Sequence, residues 1–147
     1  MTTMPDPKLL ECFENPNPKR DYVIEHVAEE FTSVCPKTGH PDFGVVTVQY
    51  VPDLVCVELK SLKIYLQAYR NEGIFYEAVT NQIASHLEKA MHPRWMSVIT
   101  DWRGRGGIRS TIRVEVGRLP GNAPVDDDYD DDDEEFDAPE SSRPPGF

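Results

Sequence analysis

Val45-Val46-Thr47-Val48-Gln49-Tyr50-Val51 is a β-branched run closed by Gly44 on one side and Pro52-Asp53 on the other, which predicts a strand. Leu54 to Glu58 follows the Pro-Asp turn as a short second strand, and the two read as a hairpin. Tyr22 to Phe31 alternates loosely and predicts an earlier strand leading into the segment around Cys35. Ser61 is suited to cap a helix, and Leu62, Tyr65, Leu66 and Tyr69 fall at helical spacing, with Gly73 as the expected stop. A second helix is expected from Ile74 to Ala90, with Phe75, Val79, Ile83 and Leu87 as its apolar stripe. Trp95 to Arg103 alternates, placing Met96, Val98, Thr100 and Trp102 on one side. Ile108 to Val116 alternates more cleanly, with Ile108, Ser110, Ile112, Val114 and Val116 set against Arg109, Thr111, Arg113 and Glu115. Arg103-Gly104-Arg105-Gly106-Gly107 joins the last two strands as a hairpin loop.

This order of strands and helices requires no parallel crossover. The expected class is α+β, an antiparallel sheet with two helices on one face. Such a sheet has a half-covered second face and unpaired edges, and a core this small points to a homo-oligomer.

The charge changes the picture only at one end. The chain of 147 residues carries a formal net charge of -11. Residues 121–147 hold eleven Asp and Glu against Arg143 alone, while residues 1–120 hold fifteen acidic and fourteen basic side chains. The acidity therefore belongs to the tail, and the body has no overall basic field for nucleic acid. The near-continuous acid from Asp126 to Asp137 cannot collapse on itself. The expected organisation is an extended Pro- and Asn-rich arm over 1–20, a folded domain over 21–120 and a disordered acidic tail over 121–147. Cys12, Cys35 and Cys56 are too few and too odd in number for a disulfide framework. No N-terminal apolar stretch reads as a signal peptide and no run approaches membrane-spanning length, so a reduced, cytoplasmic protein is expected.

Candidate chemistry centres on Phe31-Thr32-Ser33-Val34-Cys35-Pro36-Lys37-Thr38-Gly39-His40-Pro41-Asp42-Phe43. A lone cysteine is usually an inert buried one. Here its neighbours form a polar turn, with Lys37 able to stabilise a thiolate and Asp42 at loop distance to move a proton. Taken alone, Asp42 is equally a turn aspartate, Glu77 a carboxylate favoured by the dipole early in a helix, and Glu58 an exposed strand end. Lys60, Ser61 and Lys63 lie at a helix N-terminus that favours anions, and Arg103, Arg105 and Arg109 form a second basic cluster. His26, His40, His86 and His92 show no C-x-x-C or H-E-x-x-H spacing with the cysteines, so no metal site is expected. No G-x-G-x-x-G follows a strand, so no Rossmann site is expected.

Several of these segments, in order, resemble the QueF family of NADPH-dependent nitrile reductases acting on 7-cyano-7-deazaguanine. They are Glu30 to Gly39 with Pro41-Asp42-Phe43, Val57-Glu58-Leu59-Lys60-Ser61-Leu62-Lys63, Tyr69-Arg70-Asn71-Glu72-Gly73-Ile74-Phe75-Tyr76-Glu77, and Asp101 to Gly107. The short length is similar to the single-module form. The resemblance implies the tunnelling fold and an oligomeric barrel with sites at subunit interfaces. It implies Cys35 as the nucleophile forming a covalent thioimide, and Asp42 as the proton donor. It implies Val57, Glu58, Leu59, Tyr76 and Glu77 as substrate contacts, and Lys60, Ser61, Lys63, Arg103 and Arg105 as contacts to NADPH. Two NADPH would reduce the nitrile to 7-aminomethyl-7-deazaguanine in queuosine tRNA modification. The substrate would be the free base, with no direct nucleic-acid contact. Leu59 stands where many members have Ser, and Tyr76 where many have His; Tyr does not titrate near neutrality as His does. Two other readings remain at this point. One is a QueF-like amidinotransferase that shares Cys35 and Asp42 but uses ammonia. The other is a non-catalytic oligomeric module with an acidic tail.

Overall fold

The protein is described by a computed structural model over residues 4–121. Four long strands form one antiparallel sheet: β2 (Ile24–Val34), β3 (Pro41–Val51), β5 (Trp95–Arg105) and β6 (Ile108–Gly117), in the order β2-β3-β5-β6. A separate two-stranded sheet pairs β1 (Cys12–Glu14) with β4 (Val55–Val57). Helices α1 (Leu59–Gln67) and α2 (Tyr76–Met91) lie between β4 and β5 in the chain. Alternation decides which side chains face them. Val46, Val48 and Tyr50 of β3 pair with Thr100, Val98 and Met96 of β5, and all six are buried. Leu62, Tyr65 and Leu66 of α1 and Val79, Ile83 and Leu87 of α2 close the core over them. This is the α+β arrangement that the alternation implied. Burying a Leu, Ile or Val side chain contributes about 1.5–3 kcal/mol, so this shared layer is the main source of stability.

The hairpin expected between β3 and Leu54–Glu58 does not form. β3 is central and both its edges are taken, by β2 and β5. β4 finds its partner in the N-terminal arm instead, with Phe13 opposite Cys56. Asn15 and Arg94 fasten that arm: the Asn15 amide donates to the Asp53 carbonyl at 2.7 Å, and Arg94 pairs with Asp21 at 2.5 Å and with Asp53 at 3.2 Å.

Both helix starts differ from expectation. Glu58, not Ser61, caps α1, its carboxylate accepting from Ser61 N–H at 2.8 Å and Lys60 N–H at 3.0 Å. The Ser61 hydroxyl is buried and turned back, donating to the Glu58 carbonyl at 2.7 Å and accepting from Glu11 N–H at 2.9 Å. Helix α1 ends at Gln67, well before Gly73. The residues around Gly73 are drawn onto β2, where Val34 N–H donates to the Glu72 carbonyl at 3.0 Å and Ile74 N–H to the Val34 carbonyl at 3.1 Å. Phe75 is therefore an exposed N-cap position outside the buried stripe of α2.

β2 runs past Phe31 to Val34, and β3 starts at Pro41, so Asp42 stands in a strand and not in a loop. The turn between them is tight. Gly39, at φ 77°, donates its N–H to the Cys35 carbonyl at 2.8 Å, and Cys35 N–H donates to the His40 carbonyl at 2.9 Å. The acidic tail expected beyond Gly121 lies outside the described residues.

Candidate active site

Cys35 sits at the mouth of that turn, immediately after β2. Its thiol is held at about 7, below the ordinary value of 9.0. The Thr38 hydroxyl contributes most, followed by the Thr38 and Lys37 backbone N–H groups, with a smaller contribution from Arg105. Lys37 contributes through its backbone amide. The turn wraps donors around sulfur, so a large fraction of thiolate exists at neutral pH.

Asp42 is buried at 4% exposure on the helix-covered face of the sheet. Arg105 donates to its Oδ1 at 2.7 Å, and the Tyr76 hydroxyl donates to the same oxygen at 3.3 Å. Burial, then the charge of Asp42, raises Tyr76 above the ordinary phenol value, so it remains a donor. Arg105 is stabilised as a cation by hydrogen bonds to Cys35 and Tyr76 and by the Asp42 charge. It reaches the site because the β5–β6 ladder shifts register between Trp102 and Arg105. Cys35, Asp42, Tyr76 and Arg105, from four places in the chain, thus converge. A nucleophilic thiolate, a buried carboxyl group and two fixed donors are what addition to a polarised multiple bond with proton transfer requires.

Glu77, beside Tyr76 in the first turn of α2, is exposed, and no described residue bonds its carboxylate. The Val57, Glu58, Leu59 group is not joined to Cys35 by any hydrogen bond or ion pair among the described residues. Val57 is buried with its N–H on the Tyr50 hydroxyl at 3.1 Å, Glu58 caps α1, and Leu59 is exposed. Leu59 and Lys63 instead line a groove of about 500 Å³ between α1 and β2. A second groove of about 670 Å³ is lined by Phe43, Trp102, Arg103 and Arg109, and both grooves share Phe31 and Arg70. Exposed Lys60, Lys63, Arg70, Arg103 and Arg109 suit an anionic cofactor, whereas Ser61 has no free group to offer one. Arg103 also lies over the Phe43 ring at 5.2 Å. Sequence reasoning missed Thr38, Arg70 and Trp102 as site residues. All three sat inside the recognised segments, and Trp102 also carried the mark of a core position. Among the described residues no group of three or more His, Cys, Asp or Glu is placed to hold a metal ion, and no helix is long and apolar enough to cross a membrane.

Comparison with known proteins places this arrangement in context. A model of the QueF-like protein family matches residues 41–120. An NADPH-dependent 7-cyano-7-deazaguanine reductase of Prosthecochloris aestuarii is 60% identical over 105 residues, covering 71% of this chain and 89% of its own length. The protein of the same name from Rhodopirellula baltica is 59% identical over 105 residues, covering 71% of this chain and 87% of its own. The fold is similar to the crystal structure of the archaeosine synthase QueF-Like in the apo form, with a TM-score of 0.62 at 21% identity over 67% of this chain and 96% of that one. With a family model matched over residues 41–120 and relatives this similar over nearly their whole length, the chain belongs to the QueF family.

Proposed function

We propose that this protein is an NADPH-dependent nitrile reductase that converts 7-cyano-7-deazaguanine to 7-aminomethyl-7-deazaguanine. The observation that carries this reading is the meeting of a Cys35 thiol held at about 7 with Asp42, clamped by Arg105 at 2.7 Å and Tyr76 at 3.3 Å. The Cys35 thiolate adds to the electrophilic nitrile carbon. Asp42 takes up the proton that Cys35 releases on forming its thiolate; a C–S bond then forms, one electron pair of the triple bond moves to nitrogen, and Asp42 passes that proton to the nitrogen. The product is a thioimide whose C=N bond accepts hydride. NADPH, when bound, supplies the hydrides that complete reduction to the amine. Lys60, Lys63 and Arg103 are assigned to its anionic groups, while Arg105, also suited to an anion, is held on Asp42 at 2.7 Å.

Tyr76 and Glu77 are assigned to the base from the Cys35 side, and Val57, Glu58 and Leu59 as its other contacts. A carboxylate offers two acceptor oxygens to the paired N–H groups of a deazaguanine edge. Because the latter three are not joined to Cys35 within one chain, we assign them to the site of a neighbouring copy in a homo-oligomer. The outer edges of β2 and β6 carry no strand among the described residues, which supports edge-to-edge assembly. The substrate is a free base, so the protein needs no nucleic acid, and it acts in the cytoplasm in queuosine synthesis.

The test is to mix the protein with the nitrile base and NADPH and follow the absorbance of the reduced cofactor. Loss of two equivalents per nitrile, with the aminomethyl base as product, is expected. An unchanged cofactor together with consumption of added ammonia points instead to amidine formation.

A further inference from the structure

Ser33 carries a hydroxyl that is fully buried, at 0% exposure, and that has no hydrogen-bond partner among the described residues. It is the cross-strand partner of Asp42 in the β2–β3 ladder. Residues directly opposite in an antiparallel pair place their side chains side by side on one face. Both donors to Asp42, Tyr76 and Arg105, reach Oδ1, and no described residue donates to Oδ2. One rung of the sheet thus holds a hydroxyl without an acceptor beside a carboxylate oxygen without a donor. Buried polar groups are normally paired, and an unpaired one beside a reacting group points to a bond made at another stage of the reaction.

We propose that Ser33 is a positioning residue for proton transfer, its hydroxyl turning onto Oδ2 of Asp42 as that oxygen releases its proton. This rests on the roles assigned above to Cys35 and Asp42. Oδ2 first takes up the proton that Cys35 gives up on becoming a thiolate; that Oδ2–H bond then breaks and an N–H bond forms on the nitrile nitrogen while the sulfur–carbon bond is made. The carboxylate left behind then has Arg105 and Tyr76 on Oδ1 and Ser33 on Oδ2. Rotation about the Ser33 Cα–Cβ bond swings Oγ itself, so the hydroxyl can meet the charge as it develops without moving the strand. With two donors on Oδ1, Oδ2 is the oxygen left to carry the proton that the nitrile nitrogen accepts.

The experiment times thioimide formation by stopped-flow, with the nitrile base and no NADPH, and measures affinity for the base separately. Ser33→Ala is expected to slow adduct formation roughly ten- to a hundredfold, the loss of one hydrogen bond to a charged group, while binding the base as the parent does. Ser33→Thr, which keeps the hydroxyl, is expected to recover most of the rate. In an Asp42→Asn background, Ser33→Ala is expected to change nothing further, because the two act as one unit. Should Ser33→Ala not fold, Ser33→Cys, close in size with a weak S–H donor, serves in its place, the adduct being located on Cys35 by peptide mass. Parent-rate adduct formation in a folded Ser33→Ala, or equal slowing with and without Asp42, overturns the proposal while leaving the reductase reading intact. A parent protein that forms no adduct overturns the reading and Ser33 with it.

Discussion

Tyr76 lies flat on Trp102, with ring centroids 4.1 Å apart and planes 9° from parallel. The contact closes a ring of interactions. Trp102 donates its indole N–H to the Thr100 hydroxyl at 2.8 Å, Thr100 shares a 2.7 Å hydrogen bond with Thr80, and Thr80 donates to the Tyr76 carbonyl at 2.8 Å. The first turn of α2 is thereby fixed to β5, and the Tyr76 hydroxyl is aimed at Asp42. Position 76 thus combines a ring stacked on Trp102 with a hydroxyl bonded to Asp42.

The two roles of Tyr76 separate by substitution. Tyr76→Phe keeps the stack and removes the donor, so the melting temperature is expected to stay near the parent value while adduct formation at Cys35 slows about tenfold. Tyr76→Ala loses the stack as well, worth about 0.5–1.5 kcal/mol beyond its buried area, and is expected to lower both. Equal adduct rates in the parent and Tyr76→Phe would remove the hydroxyl from the proton-transfer step.

Gly44 is the cross-strand partner of Trp102, and a Cβ there would lie 2.8 Å from the Trp102 ring and 2.8 Å from the Asp101 carbonyl. Neither neighbour is a flexible side-chain end. Gly44→Ala is expected to destabilise the fold by about 1–3 kcal/mol in denaturant unfolding, the usual cost of overpacking. Because Trp102 supports Tyr76, the adduct rate is expected to fall at temperatures where the variant is still folded. Parent-like stability would show that β3 and β5 separate there more easily than their register implies.

The sequence disclosed what depends on local periodicity. The strand from Trp95, the alternation after Ile108 and the stripe of Val79, Ile83 and Leu87 all appear in the fold because burial follows the repeat. It did not disclose pairings decided by competition. Nothing local says that β3 has both edges filled, so the short run at Val55–Val57 looked like its hairpin partner. The site shows the same division. Cys35 and Asp42 stood out as candidates from a recognisable segment. The approach of Arg105 to Asp42 depends on a register shift in β5–β6, and the donors that Thr38 and Lys37 offer the sulfur depend on how the turn closes.

Cys35 should titrate near neutrality. Its thiol at about 7 means that alkylation by iodoacetamide rises with pH and reaches half its plateau near pH 7. Thr38→Val removes the largest stabilising hydrogen bond to the thiolate while keeping the side-chain shape. The midpoint is expected to move to higher pH, toward the ordinary thiol value of 9.0. A midpoint that stays near 7 in the variant would show that the backbone N–H groups hold the thiolate without help from the hydroxyl.

Glu58 links the start of α1 to pH. Lys60 and Ser61 N–H groups donate to its carboxylate at 3.0 and 2.8 Å, and these bonds hold it below the ordinary carboxylate value of 4.5. A carboxyl group whose value is lowered by folding stabilises the fold above its unfolded value, and that stability is lost as pH falls through the folded value. At neutral pH the parent is therefore expected to melt above Glu58→Gln, which keeps an acceptor but not the charge. The difference should shrink as the pH is lowered through 4.5 and below, where the parent cap takes up its proton. A gap in melting temperature that stays constant over that range would mean that the cap contributes through shape alone. The same variant also tests the assigned substrate contact. Each carboxylate oxygen has two lone pairs, so a capping Glu58 still has acceptor capacity for a base N–H. If Glu58→Gln lowers the melting temperature but binds the nitrile base as tightly as the parent does, Glu58 serves the helix only, and the base is read by Glu77.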